Sequence, residues 1–183
     1  MEGNNGISGF NLVNILIMLK TDYTPSDGFP YYYNLVEDKD CGTLFSSSST
    51  FEFLESIDEK KAAYRYAHDK WSIKQVVGHI TDHERIKMFR AFLLSREQSV
   101  QLWGYDQNAL VSNSRFDEMT IQQLIYDFLN VRKASLSFLD ALSENQLKIT
   151  GIAKEFKITL EDYLKSIIGH ELHHINSIKE RYF

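Results

Sequence analysis

Apolar residues recur at helical spacing through most of the chain after residue 40, with polar stretches between them. Leu44, Phe45, Phe51, Leu54 and Ile57 predict a first helix over about 43–57, although the serines at 46–49 are weak helix formers. Ile73, Val76, Val77, Ile80, Met88 and Ala91 predict a second, opened by Ser72 with Gln75 three residues on and reaching about Ser95. Ile121, Leu124, Ile125, Phe128, Val131, Leu136, Leu139 and Leu142 predict a third, opened by Thr120 and Gln123. Leu160, Leu164, Ile167, Ile168, Leu172, Ile175 and Ile178 predict a fourth, from Thr159 with Asp162 three on to about Arg181. Shorter helices are expected near 108–112 and after Ser143, whereas 58–70 and 149–156 read as connections. Four long amphipathic helices without alternating strands or internal repeats predict an all-α four-helix bundle.

The bundle domain is expected over residues 22–183, preceded by an extension at 1–21. Both prolines, Pro25 and Pro30, fall before it settles into helices, so 21–40 reads as an extended segment with Tyr31, Tyr32 and Tyr33 partly buried. Phe10–Leu19 is apolar but too short to span a bilayer and has no basic residue before it, so a peripheral helix or strand is expected. A natural start at Met18 is the alternative.

A chain of 183 residues suits one domain. A net charge of -5 argues against a phosphate-gripping nucleic-acid binder. The single cysteine, Cys41, rules out an intrachain disulfide and a Cys-rich zinc site, in keeping with a cytoplasmic protein.

The candidate chemistry is histidine. Three of the six lie at His170, His173 and His174. At about 100° per residue, His170 and His174 share one helix face and His173 points elsewhere. Two imidazoles at i and i+4 can share a divalent ion, and a third ligand must come from a facing helix. The second helix carries His79 on the flank of its apolar stripe, with His83 one turn on; either or both could contribute. Asp82, Glu84 and Glu171 are candidates near the metal, able to orient the histidines. His68 reads as surface. The pattern His170-Glu171-Leu172-His173-His174 also satisfies H-E-x-x-H, with Glu171 as general base of a zinc peptidase, but its third ligand would have to come from the second helix.

Lys70–Arg85 and Gly169–Tyr182, with Gly104–Ala109 between them, resemble the signatures of the DinB/YfiT-like superfamily over roughly residues 22–183. The resemblance implies a four-helix bundle, often a homodimer, with a divalent metal held by His79, His170 and His174, and His83 beside the site. It implies a metal-dependent hydrolase or a thiol S-transferase using a low-molecular-weight thiol, with a small-molecule substrate and no membrane or nucleic-acid partner. Zn, Ni and Fe all suit imidazole ligands, as does Cu. A non-catalytic, metal-stabilised dimeric binding module is the alternative.

Overall fold

The computed structural model describes residues 23–97, 104–153 and 156–183. The extension at 1–21, with the Phe10–Leu19 stretch, lies outside them. Among the described residues the elements run α1 (Phe29–Asn34), α2 (Cys41–Phe45), α3 (Ser49–Glu55), α4 (Glu59–Ala62), α5 (Ile73–Ser95), α6 (Gln107–Ser112), α7 (Ile121–Asp140), α8 (Glu144–Leu147), β1 (Thr150–Ala153), β2 (Phe156–Thr159) and α9 (Leu160–Arg181). The architecture is an all-α four-helix bundle with a small hairpin. Helices α5, α7 and α9 form three of its rods, and α2 with α3 together form the fourth. Helix α5 packs on α7 and α9, and the α2–α3 rod packs on the same two from the opposite side. No helix among the described residues is long and apolar enough to cross a membrane.

The long helices start where side chains meet their free N–H groups. Ser72, Thr120 and Thr159 each accept a hydrogen bond from the backbone N–H three residues on, and the side chain of that residue accepts one from the cap's own N–H. Ser143 opens α8 in the same way.

Four expectations are corrected. The predicted first helix is broken into α2 and α3, because Ser46 to Ser48 leave the helix and the freed Phe45 carbonyl accepts a 3.2 Å hydrogen bond from Arg132. The proline-bearing 21–40 segment is not extended throughout. Pro30 sits in the first turn of α1, where a missing N–H costs nothing, and Gly28 turns the chain into it at φ 76°. The connection at 149–156 contains a strand. Thr150 pairs with Thr159 and Ala153 with Phe156 in an antiparallel register that buries Phe156 and Ile158. The 58–70 connection likewise contains α4, whose Glu59 accepts from the Ile121 N–H at 2.9 Å and ties it to the start of α7.

The apolar core falls into two clusters. One holds Phe51, Leu54, Val77, Ile80, Leu124, Phe128, Ile175 and Ile178. The other holds Phe45, Ala91, Ile158, Leu160, Tyr163, Leu164, Ile167 and Ile168, with Leu136 and Leu139 packed against it. Between them along the helices lie buried Thr50, Glu84, Arg132, Ser135, His170 and Glu171.

Candidate metal centre

The histidines gather on the α5–α9 seam. His79 and His170 are 2% and 3% exposed, and His174 is half-buried. The Nε2 atom of His170 lies 3.1 Å from that of His79 and 3.1 Å from that of His174. One ring nitrogen from each of the three lies within 4.8 Å of the others. Two donors bound at about 2.05 Å with a tetrahedral angle stand about 3.3 Å apart. The spacing therefore suits a shared divalent ion.

Proton sharing alone satisfies this arrangement poorly. His170 Nε2 carries either one proton or one lone pair, so it makes one well-directed hydrogen bond and cannot satisfy both of its nitrogen neighbours. Charge does not resolve the conflict, because burial lowers the pKa of His79 to about 4 and holds His170 and His174 well below the usual histidine range. All three are neutral at pH 7, with lone pairs available to a metal. The Nδ1 of His170 is buried without a hydrogen-bond partner, so its ring is oriented by packing. His83 stacks on it at 3.5 Å and 7°, and Tyr32 of α1 meets it edge-on at 5.1 Å. Trp71 covers His79 at 4.9 Å.

His83 stays outside the cluster and beside it, its Nδ1 2.7 Å from the Tyr105 hydroxyl. His173 is excluded as its helical phase requires. Its Nδ1 meets the Tyr31 hydroxyl at 3.0 Å under the tyrosines of α1. His68 is exposed.

None of the three acidic candidates hydrogen-bonds or ion-pairs with the three clustered histidines. Asp82 accepts from Arg85 at 3.0 Å, and Arg85 reaches on to Asp127 of α7 at 2.6 Å. Glu84 accepts from Arg132 Nη2 at 2.8 Å and from the Ser135 hydroxyl at 2.6 Å. Glu171 accepts from Thr50 and from Arg132. Burial acts against the Arg132 charge, but the Glu171 and Glu84 carboxylates more than offset it and raise its pKa. The general base that a peptidase reading needs is thus bound up on the core side of α9.

A cavity of about 250 Å³ adjoins the centre, with the His170 and His83 rings in its wall.

A family model of the DinB superfamily matches residues 46–178. A solved structure, YfiT from Bacillus subtilis, described as a probable metal-dependent hydrolase with an unusual four-helix bundle topology, superposes with a TM-score of 0.65. It is 18% identical, and the match covers 87% of this chain and 89% of that one. No curated protein matches.

Proposed function

Since the chain belongs to the DinB superfamily, we propose that it is a metal-dependent enzyme acting on a small electrophilic substrate, as a hydrolase or a thiol S-transferase. The observation that carries this reading is the convergence of three neutral, buried imidazole nitrogens, from His79, His170 and His174, on one point. A divalent ion held there would acidify water or a thiol and so supply a nucleophile near neutral pH. Among the described residues the histidines hold their geometry through the Trp71, His83 and Tyr32 rings packed against them, with no acidic partner. His79, His170 and His174 would hold the ion with three protein ligands, the number that catalytic zinc sites use. His83, bound to Tyr105, is the group that passes a proton at the cavity wall.

Metal analysis of the purified chain tests the centre. About one divalent ion per chain is expected in the wild type, and less than a tenth of that in His170→Ala. A metal-free wild type, or equal metal in the variant, overturns the reading. A panel of thiols and hydrolysable esters, each run with and without chelator, tests the catalysis. Turnover that chelator abolishes supports an enzyme; a chelator that lowers the melting temperature with no turnover to lose supports the non-catalytic module.

A further inference from the structure

Helix α5 carries more apolar surface than the core takes up. Its core stripe runs through Ile73, Val77, Ile80 and Ala91, all fully buried. A second stripe of Arg85, Met88, Phe89 and Phe92 recurs at i, i+3, i+4 and i+7. Phe89 stands nine residues after Ile80, about 180° away in helical phase, so it points out of the bundle. It is 61% exposed, and Phe92 is 43% exposed, where a surface helix ordinarily carries polar side chains. The first half of α5 is covered on this side by Phe116, which lies so close over Gly78 that a Cβ there would overlap its ring. Among the described residues no such cover lies over Phe89. A contiguous apolar patch left open in this way marks an interaction site.

The shape of the patch says what fits it. Beside the stripe, between α5 and α7, runs an open groove of about 540 Å³, walled by Met88 and Phe92 on one side and by Val131, Ala134 and Phe138 on the other. Phe92 and Phe138 meet edge-on at 6.3 Å. Ala134 is exposed and has no side chain beyond Cβ, which leaves the groove hollow. A projecting ring and a recess therefore lie side by side on one face. A two-fold contact between identical chains requires this pairing, because each copy's projection enters the other's recess.

Charge and area agree. Arg85 and Asp127, the charged residues of the groove, pair with each other at 2.6 Å. The groove thus offers a strongly acidic or basic partner no unmatched charge, and an identical groove meets no repulsion there. Two helices about 11 Å wide, side by side over about four turns, present roughly 500 Å², so a symmetric pair buries about 1,000 Å², the lower bound for a specific interface.

We propose that this outer face of α5 and α7 binds a second copy of the chain, with Phe89 of each copy seated over Ala134 of the other. The contact does not depend on the metal centre, which lies on the α5–α9 seam.

The test is sedimentation velocity of the full chain over a wide concentration range, with and without chelator. A species of twice the 21.3 kDa chain mass is expected in both conditions. Phe89→Glu should raise the dissociation constant about a hundredfold or more, because a two-fold contact loses two aromatic anchors and gains two carboxylates. Ala134→Glu fills the recess and should act in the same direction. Both positions are exposed, so far-UV circular dichroism should show wild-type helix content, and Ala134→Glu decides the test should Phe89→Glu not fold. A monomeric wild type, or a dimer as tight in the folded variant as in the wild type, overturns the proposal. A wild type that becomes dimeric only when residues 1–19 are deleted also overturns it, and assigns the patch to that segment.

Discussion

Arg132 is the residue on which the interior of the bundle depends most. It is 3% exposed, it joins Glu84 of α5 to Glu171 of α9, and it holds the Phe45 carbonyl where the first rod breaks. Removing one partner of a buried ion pair typically costs about 3–5 kcal/mol, because the charge left behind is unpaired. Arg132→Met leaves two carboxylates, so the melting temperature should fall by about 6–20 °C at roughly 2–4 °C per kcal/mol. Adding Glu84→Gln and Glu171→Gln to that variant should recover part of the loss; no recovery in a thermal melt would show that the network is not held by charge. The residue was half-legible in the sequence. Phe128, Arg132 and Leu136 stand one turn apart, as do Ile80 and Glu84, so each charge interrupts an apolar stripe. That interruption marks burial but not the partner, which is why Glu84 and Glu171 read as neighbours of the histidines and are instead committed to Arg132. The histidine grouping was more accessible, since helical phase alone separates His173 from His170 and His174.

Among the elements, the long helices could be read because their signals are local: a polar cap, its reciprocal partner three residues on, and a periodic stripe. The hairpin could not, because four-residue strands are too short for alternation to register and Phe156-Lys157-Ile158 shows only one full period. Nor could α1, whose prolines suggest extension until one sits in the first helical turn. This short helix matters more than its six residues suggest. It crosses α9 so closely that a methyl group on Gly169 would overlap the Tyr32 carbonyl, and the same Tyr32 lays its ring against His170. Gly169→Ala must therefore push α1 away. Overpacking of this kind costs about 1–3 kcal/mol. The variant should melt about 2–12 °C lower and bind metal more weakly. Unchanged melting and metal affinity together would mean that α1 does not bear on the centre.

At the scale of the whole molecule, the buried histidines make stability depend on pH. His79, His83, His170 and His174 have folded pKa values below 6.5, His79 at about 4. Between those values and 6.5 the unfolded chain binds more protons than the folded one, so stability is lost as pH falls through that range. Each such group contributes up to about 1.4 kcal/mol per pH unit. The urea midpoint of metal-free protein should be steady between pH 7 and 8 and drop steeply from 6.5 to 5; a flat midpoint from 7 to 5 would mean that the histidines are not neutral in the fold. The polar layer between the two apolar clusters also has a consequence for how the rods align along their length. One turn either side of Glu171 stand Ile167 and Ile175; either side of Arg132, Phe128 and Leu136; either side of Glu84, Ile80 and Met88. Sliding any of these helices by one turn, about 5.4 Å, would set an aliphatic or aromatic side chain against an ionised group. Hydrophobic packing alone tolerates such slippage, whereas the Glu84–Arg132–Glu171 bridge admits one axial setting. That setting is also the one that brings His79 level with His170 and His174.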